Sequence, residues 1–265
     1  MTNQSITGTH WATSATPPND WRVELALLNN THWYQALFAA HGLTSENTDR
    51  AWWSFENAPP FHSNLVVRAA DLSPAELASL VAAIDERPRP GGWSIKDSHA
   101  CLTLESLGFN LKFAAEWLWR DAQVTAIHRA PPMLDWRPMD SAAQLQAWEA
   151  AWWGDSRNET PKRRARQFPD VLLASPDHAF FAGHLDNQIV AGAIANRSPG
   201  AVGLSNLFAP PAFAEEAWAA VVDGITRACP GLPIVGYERG DDLVLAHQLG
   251  FESVGALCVW RRASA

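Results

Sequence analysis

The sequence predicts a mixed α/β fold, and three observations carry that prediction. Apolar strand-like runs alternate with amphipathic helical runs along most of the 265 residues. The triplet SNL stands at 63–65 and again at 205–207, and LGF at 107–109 and again at 249–251, so both pairs are offset by 142 residues. Around these triplets one order recurs: strand, helix, strand, helix, strand. Sliding 62–120 onto 204–262 without a gap gives 12 identities, four of them alanines, with Pro88 and Pro230 in register. Repetition of this kind divides the chain into a truncated half at 1–130 and a fuller half at 131–265, with the boundary in the proline-bearing HRAPPMLD (128–135).

In the first half, THWYQALFAAHG (31–42) reads as a helix and RAWWSFEN (50–57) as a strand. SNLVVRA (63–69) is a strand feeding the helix 73–86, where Ser73, Pro74 and Glu76 make a capping box with proline at its first position. GWSIK (92–96) is a strand, SHACLTLESLG (98–108) a helix and NLKFAAEWLWR (110–120) the last strand. The second half opens with strand 133–139 and helix 141–153. A hairpin follows at 179–198, turning at Asp186-Asn187. Then come strand 201–208, helix 214–229, strand 232–237, helix 240–250 and strand 252–262. Glycines 108 and 250 read as helix C-caps. Each half is expected to be a central, mostly antiparallel sheet flanked by helices. The last strands are placed to join the two into one continuous sheet.

Composition narrows the function classes. The chain is 47% hydrophobic and 18% charged, as folded soluble proteins are. A net charge of −8 argues against a nucleic-acid partner. One basic cluster, Arg157, Lys162, Arg163, Arg164 and Arg166, is either a solvated face or a contact for an acidic ligand. Three cysteines without paired spacing point to a reducing compartment, and Cys101 beside His99 reads as a packed thiol rather than a nucleophile. The first residues lack a signal-peptide layout and no apolar run is long enough to span a bilayer, so a cytoplasmic protein without membrane association is expected. Nine histidines show no ligand spacing, so no metal is expected; of the fourteen tryptophans, those in strand-like runs (Trp52, Trp53, Trp117, Trp119) are expected in the core. Nothing in the sequence sets an oligomeric state.

Two strings carry a family likeness. NQIVAGAIANRS with GLSNLF, and GDDLVLAHQLGFESVGALCVWRR, resemble the third and fourth strands and the closing helix and strand of the GCN5-related N-acetyltransferase (GNAT) superfamily. The resemblance covers about 133–262 well and 30–120 weakly, as a tandem arrangement with a truncated first copy. It implies transfer of an acyl group from acetyl-CoA, or another acyl-CoA, to an amine of a small molecule or peptide. In that family the fourth and fifth strands splay, and the pantetheine enters the gap like an extra strand. The matching contacts fall at Asn206, Leu207, Phe208, Ala209, Phe213 and Ala214. The loop that holds the pyrophosphate in the family is here APPAFAEE (209–216), without glycine. Pro210 and Pro211 remove backbone donors, and Glu215 and Glu216 oppose an anion at the helix start. A non-catalytic binding or regulatory module that has lost this loop is therefore the alternative.

The tyrosine that family members often carry in the last helix falls here on Ala246, with His247 beside it. Glu238 is the candidate general base and Tyr237 a candidate proton donor. Strand alternation puts the two on opposite faces, and Glu238 reads more readily as a capping or surface carboxylate than as a base. Asn64 and Asn206, matched in the repeat, either satisfy backbone groups or touch a ligand.

Overall fold

The computed structural model describes residues 20–87, 91–124, 132–154 and 166–263. Of the basic cluster only Arg166 falls within them, and Pro88 and the first residues of the expected boundary lie outside.

The first stretch contains α1 (Trp21–Ala40), β1 (Glu46–Asn47), β2 (Ala51–Trp53), β3 (Leu65–Val67), α2 (Pro74–Asp85), β4 (Trp93–Asp97) and β5 (Asn110–Arg120). The second contains β6 (Asp135–Pro138), α3 (Ala142–Trp152), β7 (His178–Leu185), β8 (Gln188–Ser198), β9 (Ala201–Phe208), α4 (Ala214–Ala228), β10 (Ile234–Glu238), α5 (Gly240–Gln248) and β11 (Glu252–Arg262). Ser73 and Ser141 both close capping boxes, with Glu76 and Gln144. The hairpin turns where expected, with Asp186 and Asn187 both at positive φ.

Two sequence expectations need correction. The first helix begins at Trp21, ten residues before Thr31, because Asp20 caps it by accepting from Arg22 N. Asn29, within this longer helix, is buried and bonded. Residues 98–108 do not form an α-helix; only a 3-10 turn at Glu105–Leu107 survives. The Asp97 carboxylate takes the amides of His99 and Leu102, and Ala100 sits in the left-handed region (φ 51), so the chain is folded into a side-chain-capped loop before a helix can start. The strands expected at 50–57 and 63–69 are also shorter than the apolar runs that suggested them.

Among the described residues the strands form one eleven-stranded sheet, ordered β1-β2-β3-β4-β11-β5-β10-β9-β8-β7-β6. The expected meeting of the last strands is an interdigitation. β11 lies between β4 and β5, and β5 lies between β11 and β10. Each last strand thus pairs with a strand from the other stretch.

The β5–β11 ladder is symmetric. Ala115 pairs with Leu257, two positions themselves 142 apart (257 − 115 = 142). On either side the partners exchange: Cys258↔Ala114 mirrors Ala256↔Glu116, and Arg261↔Asn110 mirrors Glu252↔Trp119, with one irregularity in each arm. The LGF turns match bond for bond. Phe109 N donates to Leu104 O as Phe251 N donates to Ala246 O, and Gly108 N to Glu105 O as Gly250 N to His247 O. Arg120 donates to Leu249 O at 2.8 Å, and its counterpart Arg262 donates to Leu107 O at 2.9 Å. Such reciprocal contacts are what a two-fold relation produces.

The gapless repeat slips at one place. Glu238 of β10 pairs with Glu116, and the position equivalent to Glu116 is Cys258, which pairs with Asp97 of β4. In space, therefore, Asp97 corresponds to Glu238 and Lys96 to Tyr237, one residue off the sequence alignment. The core follows this frame. α2 covers β3 and β4 from one side, while α4 and α5 cover β8 to β10. On the other face α1 packs on Ala115, Trp117, Val235 and Leu257.

Candidate active site

β9 and β10 are parallel neighbours joined at only two positions, Val202↔Ile234 and Gly203↔Val235. Two features then part them. Asn206 adopts a left-handed backbone (φ 53), and the β8–β9 ladder is irregular around it, from Gly192↔Phe208 to Ile194↔Ser205. This bulge bends β9 away from β10. Ser205–Phe208 and Tyr237–Glu238 consequently face each other across a gap without a shared ladder, which leaves strand-edge groups of β9 and β10 free of each other.

The last shared rung is fixed from above. Asn29 of α1 donates to Asn196 O and Ser198 Oγ, and Asn196 donates back to Asn29 Oδ1 at 3.0 Å. Gly203 lies beneath this pair: a Cβ there would sit 2.0 Å from Asn29 Oδ1 and 2.5 Å from Asn196 Oδ1. Glycine is required at 203 by space rather than by φ.

Of the expected cofactor contacts, Asn206, Leu207 and Phe208 lie along the gap, where Asn206 donates to Ser205 Oγ at 3.1 Å. The side chains of Leu207, Ala209 and Phe213 pack together with Leu134, Ala191 and Ala217. The loop after β9 spends its own donors: Phe213 N bonds Pro210 O at 2.8 Å, and Ala214 N bonds Pro211 O. Glu216 is also engaged, accepting from Met133 N and Leu134 N and so tying the start of the second stretch to α4. Together with the two prolines, these bonds leave a poor seat for a pyrophosphate. The loop does not fit a diphosphate.

Tyr237 and Glu238 do not come together. Tyr237 joins the cluster under α1, with its ring 5.5 Å from that of Trp117. Burial holds its hydroxyl far above the usual range, so it keeps its proton. Glu238 points to the α5 side. Burial, then the nearby Asp242 carboxylate, pushes it up to about 8, against the pull of the Arg239 amide and charge. At neutral pH it is mostly protonated, which makes it a proton donor first and a base only above about pH 8. Asn64, the partner of Asn206 in the repeat, serves the backbone: it is buried and donates to Ser54 O and Glu56 O.

Sequence reasoning missed a group on the α1 side of the gap. Lys96 is 1% exposed, its Nζ 2.8 Å from Asn30 Oδ1 and 4.2 Å from the centre of the Tyr237 ring. Tyr34 and His62 complete this group, with their rings 4.9 Å apart. Burial draws His62 down to about 4 and Lys96 down to about 7. The available signal was compositional: the chain has three lysines, and Lys96 falls inside a predicted strand rather than on a helix or loop surface. A cavity of about 650 Å³ of mixed lining, with His32, Asp177, His178 and Arg197 beside Trp33 and Leu232, lies at the other end of β8, away from the gap.

No protein-family model and no curated protein matches the chain. Solved structures do. A GCN5-related N-acetyltransferase from Kribbella flavida is 12% identical with a TM-score of 0.62, over 89% of this chain and 96% of that one. Another from Sphaerobacter thermophilus is 13% identical with a TM-score of 0.56, over 80% and 76%. A conserved protein of unknown function from Staphylococcus epidermidis is 7% identical with a TM-score of 0.62, over 84% and 95%. The chain has the GNAT fold, and the likeness runs through both stretches of the sequence. Among the described residues no helix is long and apolar enough to cross a membrane, and no three His, Cys, Asp or Glu side chains gather as a metal site would need.

Proposed function

We propose that this chain is an N-acyltransferase, moving an acyl group from a thioester donor such as acetyl-CoA to an amine of a small molecule or peptide. The observation that carries the reading is the gap between β9 and β10, opened by the bulge at Asn206. An extended pantetheine arm can pair with the free strand edges there, leaving its thioester near Leu207 and Phe208. In the reaction a C–N bond forms, the C–S bond breaks, the amine loses a proton and the thiolate gains one. Glu238, protonated near neutrality, is the group to supply that proton. The stretch 131–265 would supply the donor site, and the stretch 1–130 would complete the acceptor side from across the sheet.

The alternative, a binding module without catalysis, is favoured by one observation: Phe213 N and Ala214 N are already bonded within their loop. Calorimetric titration with acetyl-CoA and with S-acetylpantetheine separates the two. Acyl transfer predicts binding of both with affinities within about tenfold, since the diphosphate adds little, roughly 1.4 kcal/mol at most. No heat from either up to millimolar concentration would sink the acyltransferase reading.

A further inference from the structure

A lysine without a carboxylate partner occupies the acceptor side of the gap. Lys96 comes from β4, three strand positions from Tyr237 on β10, so the two backbones are about 14 Å apart at the usual strand spacing. The side chains nevertheless meet, because each reaches inward under α1. They occupy equivalent places in the two-fold frame. Around the Lys96 ammonium stand Asn30 Oδ1 at 2.8 Å and the rings of Tyr237 at 4.2 Å, Tyr34 at 4.8 Å and Trp117 at 5.9 Å. Every one of these partners is neutral. Among the described residues no carboxylate lies within ion-pair distance of Lys96, and the ionisable groups facing it are His62 and the two tyrosines. The carboxylates that follow Lys96 and Tyr237 in sequence are spent elsewhere: Asp97 caps its own loop, and Glu238 lies by Asp242 at the start of α5.

A buried cation held only by ring faces and one amide oxygen is costly for a fold, and an apolar residue would pack the position more cheaply. The arrangement makes sense if an anion arrives from outside. Asn30 and Tyr237 are each only partly buried, so the cage is not sealed from solvent on every side. Two groups in it, Lys96 and His62, gain from a negative charge, and none of the ring or amide groups around the ammonium carries a formal negative charge.

We propose that Lys96 is the docking point for a carboxylate of the amine substrate, so that the acceptor is an amino acid or a molecule carrying the same amine-and-carboxylate pair. The inference rests on the acyltransferase reading for the amine and on the cage alone for the carboxylate. Asn30 positions the ammonium, and the Tyr34 and Tyr237 rings flank the substrate's carboxylate-bearing end. Lys96 is a specificity residue here; the reacting atoms lie toward the gap.

Because the chain has only Lys96, Lys112 and Lys162, the test can be read directly by NMR. Full-length protein labelled at lysine Cε gives three signals, and that of Lys96 is assigned by its loss in Lys96→Met. Each L-amino acid and its C-terminal amide are added at 50 mM, and the Lys96 titration midpoint is followed from pH 5 to 10. The proposal predicts that at least one amino acid raises the midpoint by a unit or more while its amide leaves it unmoved. A midpoint unmoved by every amino acid overturns the docking role, whatever the donor does. Thiol release from acetyl-CoA is measured on the same pairs. If transfer proceeds equally well to amides, the carboxylate preference is wrong and acyl transfer stands. If no acceptor releases thiol while Lys96 still answers to carboxylate, acyl transfer is wrong and the anion site stands. Where transfer is found, Lys96→Met raises KM for the amino acid tenfold or more and changes kcat by less than threefold.

Discussion

The strand pairs β3–β4 and β9–β10 occupy equivalent places on either side of the β5–β11 ladder, yet one is closed and the other open. β3 and β4 are laddered through Leu65↔Ile95, Val66↔Lys96 and Val67↔Asp97, and the ladder continues at both ends through Asn64 N to Ser94 O and Ser98 N to Val67 O. At the corresponding positions β9 and β10 share no ladder; theirs ends at Gly203↔Val235. The same residue type marks both places and behaves oppositely. Asn64 is buried and ties down the backbone of Ser54 and Glu56, whereas Asn206 takes a left-handed turn that bends its strand away. Asp97 and Glu238 diverge in the same way: one carboxylate is consumed by two backbone amides, and the other sits in a buried place that keeps it protonated. On the proposed reading, the ligand is confined to the open seam, and the closed side contributes Lys96 to it.

Substitution at the seams breaks the comparison in graded steps. The largest effect is expected at Gly203→Ala, where a methyl group meets two buried amide oxygens. A stability loss of about 3 kcal/mol or more is predicted in thermal unfolding, and a loss below about 1 kcal/mol would mean that the Asn29–Asn196 pair is loose. Next comes the carboxylate pair. Asp97→Ala orphans the amides of His99 and Leu102 and should cost about 2 kcal/mol, while Glu238→Gln should cost less than about 1 kcal/mol. Equal costs would show the two sites to be alike.

The Glu238 carboxyl also ties stability to pH. Its folded value, about 8, lies above the ordinary 4.5, so the folded chain holds a proton that the unfolded chain releases. Its contribution is full below about pH 4.5 and is lost as pH rises toward 8. The melting temperature of the wild type should therefore fall across this window relative to Glu238→Gln; parallel curves would place Glu238 in solvent. The smallest effect is expected from Tyr237→Phe. The ring rather than the hydroxyl makes the contacts with Lys96 and Trp117, so donor affinity and any turnover should stay within about threefold. A hundredfold loss of turnover would restore the hydroxyl as a proton donor.

Much of this frame was legible in the sequence, because strands with strong apolar patterns keep their bounds. β5, β9 and β11 run over 110–120, 201–208 and 252–262, as their patterns predict. The LGF turns were legible because glycine in a left-handed cap leaves a signature. Long-range pairing leaves no comparable mark. Nothing local says that β11 inserts between β4 and β5, and the one-residue slip at β4 depends on the connection from α2. That slip hid Lys96: in the gapless alignment it faces Glu238, whereas in the sheet it takes the place of Tyr237 and meets it. The helix expected at 98–108 failed for a related reason, since its amides were taken by a carboxylate on the preceding strand.

The difference between the seams is tested most directly by amide hydrogen exchange with and without millimolar acetyl-CoA. Added protection is predicted at 205–208 and 237–238, with 65–67 and 95–97 already protected and unchanged. Protection gained at the β3–β4 seam, or at neither seam, would contradict the assignment of the donor to the open one.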